Sequence, residues 1–236
     1  MSYEGLRWDS DIFGCSVGRI GDVAKTSLEE TVREADQDGI DCLYLLCPVG
    51  DLRQMHVAID LGFRPYDLRI ELSRRIETRL DPPRADVRDA RPEEQAALEA
   101  MSRERMRETR FWADSRFPRD RVKDLYGEWL RRGMTTPAER RTLVPAEAVG
   151  FVICHFDFDR RVGTIELIAV GAEQQGSGVG NLLVEAALSS FADAGMARAT
   201  VVTQGRNLAA QRLYQRHGYR TAENAMWLHR WREPNS

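Results

Sequence analysis

The sequence predicts an α/β protein, and three observations carry that prediction. A glycine-rich turn, Gln175-Gly176-Ser177-Gly178-Val179-Gly180, stands between a strand pattern and a helical one. From residue 85 onward the patterns follow the order β-α-α-β-β-β-turn-α-β-α-β-β. Residues 39–74 also lie over residues 195–230 at a constant offset of 156 without a gap. Gly39 meets Gly195, Leu52 meets Leu208, Gly62 meets Gly218, Leu72 meets Leu228 and Arg74 meets Arg230, while Asp51 falls on Asn207 and Phe63 on Tyr219.

Each element has a local reason. Residues 39–74 and 195–230 both read strand, turn, helix, Gly-aromatic, strand. Arg74 to Arg84 is charged, contains Pro82-Pro83 and lacks apolar periodicity, which predicts a linker between an N-terminal part (1–78) and a larger part (84–236). Ala85 to Arg91 reads as a short strand. Pro92 to Arg105 reads as an amphipathic helix, with proline in its first turn and Glu93-Glu94 at its positive end. Thr109 to Arg119 is aromatic and polar without a period. Asp120 to Arg132 places Val122, Leu125, Tyr126, Trp129 and Leu130 on one helical face. Strands follow at Arg141 to Pro145, Val149 to Phe156 and Gly163 to Val170. Beyond the turn come a helix from Asn181 to Ala194, a strand from Ala199 to Thr203, a helix from Asn207 to His217, and a closing pair of strands, Tyr219 to Ala222 and Ala225 to Trp231.

Composition narrows the function. At 236 residues with 34 basic and 37 acidic side chains, nothing in the net charge of −3 favours nucleic acid over a small ligand, and no nucleic-acid partner is expected. Cys15, Cys42, Cys47 and Cys154 show neither C-x-x-C nor zinc spacing, so no metal is expected and reduced thiols in a cytoplasmic setting are. Residues 1–10 hold charges and no apolar run, and no stretch is long enough to span a bilayer, so neither a secretory leader nor a membrane partner is expected.

The turn carries the chemistry. Three glycines in five residues let the backbone approach a ligand and turn several N–H groups inward. A helix N-terminus follows, whose partial positive charge suits a pyrophosphate. The spacing is neither G-x-G-x-x-G nor a P-loop, so an ordinary strand–helix connection stays open on the turn alone.

The element order and the Gln175, Gly178, Gly180 spacing resemble the Q/R-x-x-G-x-G/A signature of the GCN5-related N-acetyltransferase (GNAT) superfamily. The resemblance implies a mixed central sheet with a splayed strand pair, flanked by helices, and an N-terminal half that is a truncated, non-catalytic copy completing the sheet. It implies acetyl-CoA as cofactor. The amides of Gln175, Gly176, Gly178, Val179, Gly180 and Asn181 would hold its pyrophosphate. The strand end Ile168-Ala169-Val170 would pair with the pantetheine arm, whose amides need partners when buried. Asn207 has two readings, a helix cap or a pantetheine contact. Tyr214, seven residues on, is either a core aromatic or, as in the superfamily, the acid that protonates the departing thiolate. Glu166 is either the proton acceptor or an exposed strand charge.

A narrower resemblance, to bacterial dTDP-fucosamine (dTDP-4-amino-4,6-dideoxygalactose) acetyltransferases, rests on several stretches. These are Leu6 to Gly14, Thr109 to Pro118, Leu125 to Trp129, Thr203-Gln204 with Asn207, and Tyr214 in its Leu-Tyr-Gln context. It implies a nucleotide-linked 4-amino-4,6-dideoxy sugar as acceptor. The amine would attack directly, strand amides near Ile168 and Ala169 would stabilise the oxyanion, and no covalent cysteine step would occur. Arg110, Phe111, Trp112, Arg116 and Phe117 are the candidate sugar-nucleotide contacts, arginine for the diphosphate and aromatic faces for the rings, with a plain surface loop as the other reading. Trp8 and Phe13 would border that site if the N-terminal part packs there. A homodimer is compatible with these features. Other acceptors (an aminoglycoside, a protein N-terminus) and a non-catalytic acyl-CoA-binding regulator are the alternatives.

Overall fold

The computed structural model describes residues 2–21, 27–76, 87–136 and 139–233. Their strands are β1 (Tyr3–Gly5), β2 (Val17–Ile20), β3 (Cys42–Pro48), β4 (Arg64–Arg75), β5 (Val87–Asp89), β6 (Arg140–Pro145), β7 (Gly150–Asp157), β8 (Val162–Val170), β9 (Arg198–Gln204) and β10 (Arg220–Trp231). The helices are α1 (Arg7–Phe13), α2 (Leu28–Gln37), α3 (Leu52–Asp60), α4 (Gln95–Arg105), α5 (Arg110–Ala113), α6 (Arg119–Thr135), α7 (Val179–Asp193) and α8 (Leu208–Arg216). All ten strands form one mixed sheet in the order β1-β2-β3-β10-β4-β9-β8-β7-β6-β5.

Alternation along the strands sorts the helices onto two faces. On β7, Val152 and Cys154 pack under α7 with Leu183, Val184 and Phe191, while Phe151 and Ile153 pack with Leu98 of α4 and Leu125 of α6. On β3, Leu43 and Leu45 meet α2 and α3, while Cys42 and Tyr44 meet Phe13 of α1 and Phe111 of α5. The paired residues Leu68 and Met226 join the two clusters on the α2/α3/α7/α8 face. The opposite face carries α1, α4, α5 and α6.

The middle of the sheet is an exchange. β10, from the end of the chain, inserts between β3 and β4, and β4 in turn pairs with β9. The element bounds of β3, α3 and β4 recur in β9, α8 and β10 at the offset of 156. So do the pairings: Arg69 faces Gln204, as Ala225 faces Pro48, and Arg75 faces Arg198, as Trp231 faces Cys42. Arg69 and Ala225 face each other midway along the β4–β10 ladder, with one register shift on either side. Asp51 and Asn207 cap their helices alike, each side chain accepting from the amide three residues on, Gln54 N at 2.9 Å and Ala210 N at 3.0 Å.

Three expectations are corrected. Arg74 and Arg75 close β4, where each pairs with β9, because the antiparallel ladder holds even a charged, half-solvated end; residues 77–84 of the expected linker lie outside the described residues. The closing pair is one strand, β10: a bulge between Thr221 and Glu223 absorbs the polar break that reads as a turn. The aperiodic stretch after Thr109 holds one helical turn, α5, capped by Thr109 Oγ1 accepting from Trp112 N at 3.2 Å.

Candidate acetyl-transfer site

Two strands part at the middle of the larger half. β8 and β9 run parallel and pair from Val162–Arg198 to Ile165–Val201. Beyond that, β8 stays with β7 as far as Val170, and β9 stays with β4 as far as Gln204. The β9-facing edge of residues 166–170 has no strand partner among the described residues. Glu166 stands at the root of this fork as the extra residue of a bulge, since Ile153 faces Leu167 and Cys154 faces Ile165.

The glycine turn lies at the open end of β8. Gly176 (φ +79°) and Gly178 (φ +94°) take the left-handed conformation, and a Cβ at either would meet nothing within 4 Å. Gly180 serves a different end, because a Cβ there would stand 3.4 Å from Leu213 of α8. α7 starts at Val179, two residues before the expected Asn181, and Leu182 N makes its first helical bond, 3.1 Å to Gly178 O. The turn's amides divide. Gln175 N donates to Ala172 O at 3.4 Å and Ser177 N to Gln174 O at 3.3 Å, so Gln175 is not a backbone donor to a ligand. Among the described residues, the amides of Gly176, Gly178, Val179, Gly180 and Asn181 donate to no protein acceptor. Five free N–H groups at a helix N-terminus, with open space before two glycines, fit the pyrophosphate of acetyl-CoA.

Asn207 caps α8, the helix that follows β9, and Tyr214 lies further along it. Asn207 Oδ1 is spent as the helix cap, so only its amide nitrogen is left for a ligand. Tyr214 is 2 % exposed, with its ring centroid 5.8 Å from that of Tyr219. Burial pushes its phenol well above its ordinary value, so the proton stays on oxygen.

On the opposite face Glu166 lines a cavity of about 410 Å³ with Trp8, Trp129, Arg132, Thr136 and Arg140. Arg140 holds the Glu166 carboxylate with two hydrogen bonds, 2.9 Å from Nε and 3.0 Å from Nη2. Of the two readings of Glu166, proton acceptor or exposed strand charge, the second is corrected: the carboxylate is half-buried and paired with Arg140. Trp8 and Trp129 meet edge to face at 6.5 Å, and the Arg132 guanidinium lies 4.8 Å over Trp8. Of the two N-terminal aromatics named from the sequence, Trp8 borders this cavity and Phe13 is core.

The expected sugar-nucleotide contacts separate. Phe111 and Phe117 are buried against Phe13 and Tyr44, which leaves neither ring face for a substrate. Arg110 is held among Tyr44, Phe111 and Trp227, its guanidinium 4.0, 4.1 and 4.2 Å from their ring centres. Its Nη1 is 2.9 Å from His229 Nε2. An arginine only donates, so Nε2 accepts, and His229 Nδ1–H donates to Asp114 Oδ2 at 2.8 Å. Burial, opposed by Asp114 and aided by Arg110, lowers His229 to about 4. Trp112 stacks beneath Arg119, and Arg116 reaches a separate cavity of about 360 Å³ with Arg64, Tyr66 and Trp231. Sequence reasoning missed Trp129, Arg132 and Arg140 in the fork cavity, because only the sheet brings α6 and β6 to β8.

The model of the acetyltransferase (GNAT) family matches residues 98–219, more than half of the chain and the whole of the fork, turn and α8. The chain belongs to the GNAT family. It is an N-acetyltransferase, and acetyl-CoA is the cofactor of that family. No curated protein matches it. Solved GNAT structures do. The GCN5-related N-acetyltransferase of Sphaerobacter thermophilus has 16% identity and a TM-score of 0.62 over 94% of this chain and 74% of its own. A tandem GNAT protein from the clavulanic acid biosynthesis pathway has 12% identity and a TM-score of 0.62, over 94% and 77%. A GCN5-related glucosamine N-acetyltransferase region of a fungal multi-domain GH3 β-N-acetylglucosaminidase has 14% identity and a TM-score of 0.62, over 92% and 30%. At these identities the likeness is one of GNAT fold. No helix among the described residues is long and apolar enough to cross a membrane.

Proposed function

We propose that this GNAT protein acetylates the amine of a nucleotide-linked amino sugar, a dTDP-4-amino-4,6-dideoxy sugar by the resemblance of its sequence. The observation that carries the reading is the fork, with free amides at its open end and an aromatic, arginine-bearing cavity at its root. Trp8 and Trp129 suit the apolar face of a sugar ring, and Arg132 suits a phosphate oxygen. These residues replace Phe111 and Phe117 as the acceptor contacts. That a glucosamine N-acetyltransferase region shares the fold supports an amino-sugar acceptor over a peptide.

Acetyl-CoA supplies an activated acetyl group as its thioester. The amides of Gly176, Gly178, Val179, Gly180 and Asn181 would bind the pyrophosphate, and the unpaired edge of Ile168 to Val170 would orient the pantetheine. Tyr214, buried and protonated, would hold the proton that the leaving sulfur takes up. We further assign residues 1–78 to a truncated GNAT-like half and 84–236 to the catalytic half, on the recurrence of elements and registers at one offset. Reduced, unpaired cysteines suit a cytoplasmic enzyme.

The test is an acetyl-CoA thiol-release screen against dTDP- and UDP-linked amino sugars, free amino sugars and peptides. Release with one nucleotide-linked amino sugar is the expected result. Release with peptides alone would contradict the acceptor assignment.

A further inference from the structure

A second carboxylate lies on the same face of the sheet as the fork cavity, and it comes from the N-terminal half. Asp67 on β4 is paired with Trp227 of β10, which packs on the α5 and α6 side, so the two side chains share that face. Its side chain is 3 % exposed. Among the described residues Oδ1 is buried with no hydrogen-bond partner. The nearest cation, Arg206 Nε, is 3.6 Å away, beyond a hydrogen bond, and that guanidinium donates instead to Tyr66 O. Leu68 O accepts from Gly205 N at 2.7 Å. This bond ties β4 to the turn between β9 and α8, so Asp67 stands beside the turn that leads from the end of β9 into Asn207.

The charged and titratable groups that act on Asp67 come from each neighbouring element. They are Arg206 from the turn, Arg110 from α5, Glu108 just before it, and Tyr126 from α6. Burial outweighs the two arginines and lifts the Asp67 carboxyl to about 6. The two carboxylates differ in their partners. Each oxygen of Glu166 accepts one charge-assisted bond from Arg140, whereas Asp67 Oδ1 accepts none among the described residues. A base must have a free lone pair and an affinity for protons near the working pH.

We propose that Asp67 is the general base of acetyl transfer, placed at the active site by the strand that the N-terminal half exchanges into the sheet. The proposal rests on the acetyltransferase reading above. In the step, the amine lone pair forms the amide bond as the carbon–sulfur bond of the thioester breaks. One proton passes from the amine nitrogen to the Asp67 carboxylate and another from the Tyr214 oxygen to sulfur. Asp67 then returns its proton to solvent and Tyr214 recovers one. The truncated half is thus part of the chemistry as well as of the sheet.

Two measurements test this on the full chain. In a carbon-13 carboxyl titration, the resonance lost in Asp67→Asn should have its midpoint near 6 in the wild type; a midpoint below 4 would overturn the proposal. In kinetics with the fastest amine of the panel, kcat/KM expressed on the unprotonated amine should fall as pH drops below about 6. Asp67→Asn should remove that acid limb and slow turnover by about a hundredfold, with acetyl-CoA binding unchanged by calorimetry. Glu166→Gln should keep the limb. An Asp67→Asn protein within threefold of wild type and with the limb intact refutes the role of Asp67 alone. A wild type that binds no acetyl-CoA refutes the acetyltransferase reading beneath it.

Discussion

Tyr214 and His229 show how burial sets the chemistry of single side chains. Both are almost sealed from solvent, and in both the neutral form wins because a charge would lose its hydration. For Tyr214 this keeps the proton on oxygen, as the proposed acid role requires. Tyr214→Phe should lower turnover by about ten- to a thousandfold and leave the calorimetric affinity for acetyl-CoA nearly unchanged; unaltered turnover would remove Tyr214 from the mechanism. For His229 the consequence is a pH-dependent stability. Its folded pKa, about 4, lies below the ordinary 6.5, so the unfolded chain binds more protons. The stabilisation is full above about 6.5, is lost as pH falls, and is gone near 4, on the order of 3 kcal/mol in all. Denaturant unfolding at pH 7.5 and 4.5 should therefore show a larger loss in wild type than in His229→Gln, whose amide can keep both the Arg110 and Asp114 bonds. Equal losses would contradict a neutral, buried imidazole.

At the scale of elements, the turn before α7 divides its glycines by task. Gly176 and Gly178 supply backbone that L-residues resist, and Gly180 lets α8 approach. A Cβ at position 178 meets nothing within 4 Å, so Gly178→Val should keep the fold at a backbone strain of about 1–2 kcal/mol. The isopropyl group then stands where the amides point. Calorimetry should show acetyl-CoA binding abolished, with circular dichroism unchanged; normal affinity would mean that the amides do not hold the cofactor. This element was legible in the sequence because its signals are local: strand, glycines, helix. The cap reading of Asn207 was legible for the same reason, and Asp51 caps its helix in the same way. The single strand β10 was not, since a bulge and a turn look alike in residues 221–225. Nor was the burial of Phe111 and Phe117, because an aromatic loop and an aromatic core plug share one composition.

Across the whole molecule, the exchange of β4 and β10 makes the halves interdependent. β9 has β4 as its outer neighbour, and β10 lies between two N-terminal strands. Residues 87–236 expressed alone should therefore fail to give a folded monomer by circular dichroism, and co-expression with 1–80 should restore it; a stable isolated 87–236 would show that the exchange is dispensable. The offset of 156 was visible as matched residues, and the order strand, helix, strand read on both sides of it recurs in the structure. What it could not show was which copy's strand lies beside which. That pairing is decided by register across the sheet, and it is what carries Asp67 and Trp8 toward the fork.

In the proposed function, the free amides at the open end of the fork grip the diphosphate of acetyl-CoA. Amide chemical shifts of the full chain, followed as coenzyme A is added, test it most directly. Saturable, large shifts are expected at Gly176, Gly178, Val179, Gly180 and Asn181, smaller ones along Ile168 to Val170, and little change at Gln175 and Ser177, whose amides are already engaged. Shifts that leave those five amides unmoved, at a concentration where calorimetry records binding, would contradict it.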